Sequence, residues 1–154
     1  FPKIDGRGAI YKIKFNNINI QLIDQSYNAN PETMLQSIRN FSKIKNKRYQ
    51  KILILGEMNE LGLDALKFHS LIIKETTQHM FDKVILSGDL FKKALKMFPN
   101  FKNTFIYKNS SKSIMTYLFK NLHKKAMIMT KCSNATEVNK FVKFLKLQKK
   151  DKIV

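Results

Sequence analysis

The sequence predicts an α/β fold: a Rossmann-like three-layer sandwich with a mostly parallel sheet of about six strands and helices on both faces. Three observations predict it. Strand-like and helix-like periods alternate four or five times along the chain, which implies parallel strands joined by right-handed helical crossovers. The run Lys51-Ile52-Leu53-Ile54-Leu55 is continuously apolar after its first residue and ends at Gly56, as a strand buried on both faces should. The chain has 154 residues, 44% of them apolar, enough for one real core and too few for two ordinary domains.

Each element follows in order. Residues 10–15 and 18–24 alternate as two strands joined by an Asn16-Asn17 turn, with the first strand expected antiparallel at the sheet edge. Residues 31–44 read as a helix in which Met34, Leu35, Ile38 and Phe41 form one apolar stripe. Asn30 suits its N-cap, Pro31 its first position and Glu32 its first turn. After the basic connection 43–51 comes the buried strand 51–56, then a helix over 65–79, a strand over 83–87 and a helix over 90–97 closed by Pro99. Strand 104–107, helix 111–122, strand 126–130 and helix 135–147 repeat the pattern. Residues 148–154 are expected to fray. No repeat, linker or low-complexity stretch interrupts a single domain.

The composition excludes several classes. One cysteine, Cys132, forms no disulfide scaffold and no multi-cysteine zinc site. No apolar run approaches the ~20 residues that span a bilayer, and no leader opens the chain, so a cytoplasmic location is expected. The first residue is Phe1, which suggests a processed start or a piece of something longer. Lys and Arg total 29 against 11 acids, a formal +18, which raises nucleic acid or an anionic surface as partner. Only Arg7, Arg39 and Arg48 are arginine, however. The excess is lysine, a solvated point charge without arginine's bidentate fork, in a chain also rich in Asn, Ile and Phe, the residues of A/T-rich codons. It reads as solvated faces with some non-specific polyanion binding at low salt. The basic face of the last helix likewise reads as the outer side of a layer packed on the sheet.

Ligands of open α/β sheets sit at the carboxyl ends of the strands, so the loops after Asp24, Leu55, Ser87 and Thr130 are the informative ones. The first, Asp24-Gln25-Ser26-Tyr27-Asn28-Ala29-Asn30-Pro31, runs into a capped helix N-terminus that favours anions. Tyr27 offers a flat face and Asn28 and Asn30 offer amides, parts suited to a base and a sugar. The same residues also serve as an Asx-rich turn with an N-cap. The second, Gly56-Glu57-Met58-Asn59-Glu60-Leu61-Gly62, sets two carboxylates between glycines, with His69 seven residues on. Its acids suit a metal-bound or ammonium-bearing ligand, or simply begin the next helix, and His69 is expected as a partly buried helix residue. The last, Thr130-Lys131-Cys132-Ser133-Asn134, could grip a carboxylate through its lysine and hydroxyl, or supply an N-cap from Ser133 or Asn134. No histidine lies near Cys132, so an inert thiol is expected. Asp24, Glu57, Glu60 and Asp89 all fall at strand carboxyl ends, so that edge is expected to face something cationic. Neither a G-x-x-x-x-G-K-[ST] nor a G-x-G-x-x-G motif occurs, so no nucleoside triphosphate is held by the usual device.

Together these loops resemble the C-terminal domain of a Mur ligase. The resemblance rests on Asp24 with Ser26-Tyr27-Asn28-Ala29-Asn30-Pro31 and Met34, on Leu55-Gly56-Glu57-Met58-x-Glu60-Leu61-Gly62 with His69, on Gly6-Arg7-Gly8, and on Lys131-Cys132-Ser133-Asn134. It runs from about residue 6 to 147 and is nearest the branch that adds D-alanyl-D-alanine to a UDP-N-acetylmuramoyl-tripeptide in peptidoglycan precursor synthesis. The resemblance implies an ATP-dependent amide ligase in which the tripeptide's carboxylate is phosphorylated and the dipeptide's amine attacks the acyl phosphate. ATP and Mg would be bound mainly by a central domain that, like the UDP-sugar domain, has no counterpart in this chain. Alone the chain is then expected to be inactive, whether an excised domain, the partner of a separately encoded ATPase half, or a gene remnant. The resemblance implies ATP contacts at Arg7, Asp24, Tyr27, Asn28 and Asn30. It implies substrate contacts at Glu57, Glu60, Lys131, Ser133 and Asn134, with no catalytic residue and no metal ligand in this chain. Three positions depart from the family: Gln25 where an acid is usual, Cys132 in place of a glycine, and Glu137 where arginine is frequent. The competing expectations are a non-catalytic basic α/β module binding nucleic acid or another polyanion, and a folate-polyglutamate-type ligase domain, against which the Tyr27–Pro31 run speaks.

Overall fold

The computed structural model describes residues 9–101, 103–148 and 150–152. In chain order these form β1 (Ala9–Phe15), β2 (Ile18–Gln25), α1 (Pro31–Ser42), β3 (Gln50–Leu55), α2 (Ala65–Thr76), β4 (Lys83–Leu86) and α3 (Asp89–Leu95). There follow β5 (Phe105–Tyr107), α4 (Ser111–Asn121), β6 (Lys125–Lys131), α5 (Glu137–Lys146) and β7 (Lys150–Lys152). Asn16 and Asn17 both take positive φ, 47° and 64°, which makes the two-residue turn between β1 and β2 one that matches strand twist.

The sheet has seven strands among the described residues, in the order β5-β4-β3-β6-β2-β1-β7. The five from β5 to β2 are parallel, and β1 is antiparallel to β2. Two expectations are corrected here. The tail does not simply fray: residues 150–152 pair antiparallel with β1, Tyr11 opposite Lys152 and Ile13 opposite Lys150. The sheet of about six strands thus includes β7 as a short seventh, and β1 is covered by β7 instead of forming the edge. A third correction concerns α5, whose N-cap is Thr136, accepting from Asn139 N at 3.3 Å. Ala135 takes a positive φ of 61° and delays the helix beyond Ser133 and Asn134.

Alternation along the strands builds two cores. Ile52 and Ile54 of β3 and Ala126 and Ile128 of β6 face one side, with Ile114 and Leu118 of α4 and Val138, Phe141, Val142 and Leu145 of α5. Leu53, Leu55, Met127 and Met129 face the other, with Met34, Ile38 and Phe41 of α1, Ile72 and Ile73 of α2 and Phe91 of α3. Each such fully buried side chain contributes about 1.5–3 kcal/mol, so both faces must be covered. The helix that follows β3 lies on one face and the helix that follows β6 on the other. Since β3 and β6 are neighbours, the chain leaves their carboxyl ends in opposite directions. A crevice opens where it does so.

Candidate functional site

The rim of that crevice is laced together by its own loops. After β2, Asp24 is buried; its Oδ1 accepts from Ser26 N at 2.9 Å and Ser26 Oγ at 2.6 Å, and its Oδ2 pairs with Lys146 Nζ. The Ser26 carbonyl accepts from Asn139 Nδ2 at 2.5 Å. Gln25 is also buried, its Oε1 accepting from Ser37 Oγ at 2.7 Å, so this residue ties β2 to α1. Tyr27 is 57% exposed, and Asn28 and Asn30 are exposed. Asn30 caps α1 in a reciprocal box, its Oδ1 accepting from Thr33 N at 2.9 Å while Thr33 Oγ1 accepts from Asn30 N at 3.3 Å.

After β3 the loop is pinned from below. Gly56 N donates to Lys131 O at 2.9 Å, Ser133 N to Glu57 O at 3.0 Å, and Asn59 N to Ser133 Oγ at 2.9 Å. A Cβ on Gly56 would stand 2.6 Å from the Cβ of Cys132, so β3 and β6 approach here more closely than any other residue allows. His69, expected as a partly buried helix residue, is fully buried. Met58 N donates to its Nε2 at 3.1 Å, and its Nδ1 stands 2.7 Å from Ala65 O. An amide must donate and a carbonyl must accept, so the network assigns the neutral tautomer protonated on Nδ1. Burial pushes the His69 pKa down.

Lys131 is buried, its Nζ donating to Asn28 O at 3.1 Å, and burial lowers its pKa. It therefore fastens the loop after β2 to the loop after β6. Cys132 is buried, and its thiol is pushed up to about 12, chiefly by burial. Among the expected substrate residues, Lys131 and Ser133 are committed inside the rim. Glu60 is exposed at a positive φ of 61°. Glu57 and Asn134 come together in a cleft.

That cleft, about 380 Å³, lies over the carboxyl ends of β3, β4, β5 and β6. Thirteen residues line it, of which Glu57, Asp89 and Glu137 are acids and none is Lys, Arg or His. In a chain with 29 basic residues and 11 acids, this inverts the local sign of charge. Glu57 Oε1 accepts from Leu90 N at 2.7 Å. Glu137 Oε1 accepts from Ser111 N at 3.0 Å and its Oε2 pairs with Lys140 at 2.8 Å; chiefly the bond from Lys140 holds its carboxyl below the usual range. Tyr107 stands against the Gly88 backbone near Glu57 and Asp89, and burial chiefly raises its pKa. Ser87 and Tyr107 were not singled out from the sequence; the available signal was that both end parallel strands. No group of three His, Cys, Asp or Glu among the described residues could hold a metal ion. No helix among them is long and apolar enough to cross a membrane. Arg7 lies outside the described residues.

Comparison with known proteins agrees with this architecture. The family profile described as "Mur ligase, glutamate ligase domain" matches residues 12–134. The UDP-N-acetylmuramoyl-tripeptide–D-alanyl-D-alanine ligase of Buchnera aphidicola subsp. Acyrthosiphon pisum is 30% identical over 131 residues, 85% of this chain and 28% of the relative. The enzyme of the same name from Rickettsia prowazekii is 26% identical over 139 residues, 90% of this chain and 29% of the relative. Among solved structures, MurF ligase from Thermotoga maritima in complex with ADP superposes with a TM-score of 0.71 at 19% identity, covering 96% of this chain and 32% of that one. The chain thus spans less than a third of the length of these proteins. All three are named as ligases.

Proposed function

Since the chain belongs to the Mur ligase family through its glutamate ligase domain, we propose that it is the C-terminal, closing domain of an ATP-dependent ligase. That enzyme joins D-alanyl-D-alanine to UDP-N-acetylmuramoyl-tripeptide in the cytoplasm. The observation that carries this reading is the cleft at the β3–β6 crevice, with three acids and no basic residue in its lining. A zwitterionic dipeptide presents an ammonium at its reacting end, and such a lining attracts it where the rest of the surface repels it.

In this reading the residues of the chain bind, orient and shield. The hydrogen bonds joining Lys131 to Asn28, and Ser133 to Glu57 and Asn59, make one rigid rim from three loops. A rigid rim can hold two reactants in register and exclude water from a hydrolysable intermediate. Tyr27 and Asn28, exposed on that rim, are available to the adenosine side of ATP, and Asn30 stands beside them with its side chain engaged in the cap. Asp24 would act there only by fixing the turn, since Ser26 and Lys146 occupy both its oxygens. ATP supplies the activation of the tripeptide carboxylate. The described residues offer no cluster for Mg, so the metal would be held by the nucleotide's phosphates and by residues outside them. Arg7 is proposed to reach those phosphates.

The test is binding of D-alanyl-D-alanine and of its L,L isomer to the chain at low and high salt, read by NMR titration. A preference for the D,D isomer with little salt dependence is expected. Equal binding of the two isomers, alongside polyanion binding that falls steeply with salt, would reverse the reading in favour of a basic anion-binding module.

A further inference from the structure

The lysine excess of this chain is not spread evenly over its faces. On one face of the sheet, α1 and α2 carry Glu32 and Glu75 against Arg39, Lys67 and Lys74. On the other, α4 and α5 carry Glu137 alone against Lys112, Lys120, Lys140, Lys143 and Lys146. Between Asp89 and Glu137 the sequence holds ten lysines and no acid. A drift in codon composition adds lysine to both faces alike and does not sort charge between them.

The cations of the α4–α5 face point outward and have no counter-charge. Ile114 and Leu118 of α4 and Val138, Phe141, Val142 and Leu145 of α5 are buried against the sheet. Helical spacing therefore sets Lys112, Thr116 and Lys120 along the outer side of α4, and Lys140, Lys143 and Leu147 along that of α5. A hollow of about 410 Å³ beside α4 is lined by Lys108, Lys112 and Lys120 and by no acid. Lys112, Lys120 and Lys143 make no ion pair among the described residues, and Glu137 is already held by Lys140 at 2.8 Å and Ser111 N at 3.0 Å. The face ends in exposed apolar side chains. Leu147 is 84% exposed and Phe144 37%. The Phe144 ring stands edge-on to Phe15, which stacks on Phe119 of α4 at 4.2 Å, so both helices brace this apolar tip. Phe15 pairs with Ile18 at the amino end of β2, which puts the tip at the pole opposite the cleft.

We propose that the outer face of α4 and α5 docks on an anionic lipid surface. Lys112, Lys120 and Lys143 lie over the headgroups, and Phe144 and Leu147 dip between them. This is independent of the ligase reading. Three features select a bilayer over a nucleic acid. The cations are lysines, with no arginine beyond Arg48, and diffuse headgroup charge needs no bidentate fork. The ring of Tyr117 already has the Lys83 and Lys108 ammonium groups 5.7 and 5.2 Å from its centroid, so it is no free platform for stacking bases. Exposed Phe144 and Leu147 gain from an apolar phase, which a bilayer supplies beside its charge and a phosphate backbone does not.

The experiment sediments the 154-residue chain with vesicles of phosphatidylglycerol and phosphatidylcholine in equal parts, and with vesicles of phosphatidylcholine alone. Binding to the anionic vesicles only is expected, and it should fall as salt rises. Lys120→Gln with Lys143→Gln should weaken it about thirtyfold, the scale of two lysines at an anionic surface. Lys67→Gln with Lys74→Gln makes the same change of net charge on α2 and should leave binding within about threefold. Leu147→Ser should weaken it about tenfold. All five positions are exposed, so the fold is not at stake. Equal losses from the two lysine pairs would reduce the effect to net charge and overturn the proposal. Failure to bind anionic vesicles, or binding indifferent to Leu147→Ser, would also overturn it. Tighter binding to a thymidine oligonucleotide at the same salt would overturn it in favour of nucleic acid. None of these outcomes bears on dipeptide binding, by which the ligase reading stands or falls.

Discussion

His69 makes a stability switch whose size and direction follow from its surroundings. It is fully buried, its ring edge-on to Phe91 with centroids 4.6 Å apart. Its two nitrogens are committed as acceptor from Met58 N and donor to Ala65 O. Protonation would place a proton on Nε2 facing an amide N–H, so the charged form loses that bond as well as its hydration. The Ala65 carbonyl and the Glu57 charge favour the cation, but burial is the largest influence and lowers the pKa. The folded pKa therefore lies below the unfolded value of about 6.5. With a depressed folded pKa, the unfolded chain binds more protons in the interval between the two values. The contribution to stability is then complete above about pH 6.5 and is lost as the pH falls toward the folded pKa, at up to about 1.4 kcal/mol per pH unit. Glu75 and Glu137, whose pKa values are also lowered, act in a separate window below about pH 4.5. The assay is urea denaturation at intervals from pH 8 to pH 5 on the wild-type chain and on His69→Gln. The variant should lose about 1–3 kcal/mol at pH 8, from an imperfectly satisfied Met58 N–H and poorer packing on Phe91. Between pH 6.5 and 5 its stability should fall less steeply than that of the wild type. Parallel slopes for the two proteins in that interval would refute the reasoning.

Three further outcomes are expected. Gly56→Ala should destabilise the chain by about 1–3 kcal/mol or more, because the new Cβ meets the Cys132 Cβ at 2.6 Å and the Val138 Cγ2 at 3.0 Å; thermal melting should show Cys132→Gly restoring part of the loss in the double variant. The Cys132 thiol, buried with its pKa pushed up to about 12, should resist a thiol reagent at pH 8 in the native chain and react at once in denaturant; rapid native labelling would contradict its placement. Asn30→Ala removes the side-chain half of the α1 capping box, the bond that Asn30 Oδ1 accepts from Thr33 N, and should cost about 1 kcal/mol in chemical denaturation, with Asn30→Ser recovering most of it.

Much of the fold was legible because each layer has its own period. The continuous run of β3 and the stripe Met34, Ile38 and Phe41 state burial directly, and the observed elements fall within a few residues of those expected. β7 was not legible, because Lys150-Asp151-Lys152 has no apolar residue to signal a strand. Nor was the strand order, since nothing local says that β6 enters between β3 and β2. The loops after β2 and β3 were legible as motifs, whereas the full burial of His69 was not. The cleft itself was not, because Glu57, Ser87, Tyr107 and Glu137 come from four segments that only the crossovers bring together.

The acids show why an edge argument from sequence is half of the answer. Asp24, Glu57, Glu60 and Asp89 share the carboxyl end of the sheet, but they do not share a task. Asp24 is spent on Ser26 and Lys146, and Glu60 points its charge to solvent. Glu57 divides itself, one oxygen holding the α3 backbone at Leu90 N and the other left to the cleft. Glu137, at a position where the family frequently carries arginine, joins Asp89 and Glu57 in a lining without a cation. An arginine there would favour an anionic group; the glutamate favours a cationic one. Glu137 is partly neutralised by Lys140 at 2.8 Å, whereas Glu57 and Asp89 have no basic partner within ion-pair distance among the described residues. The field in the cleft is therefore strongest beside Glu57 and Asp89. Neutralising Glu57 and Asp89 together should then weaken binding of an amine more than neutralising Glu57 and the exposed Glu60, and the reverse order would place the cationic ligand on the outer rim instead.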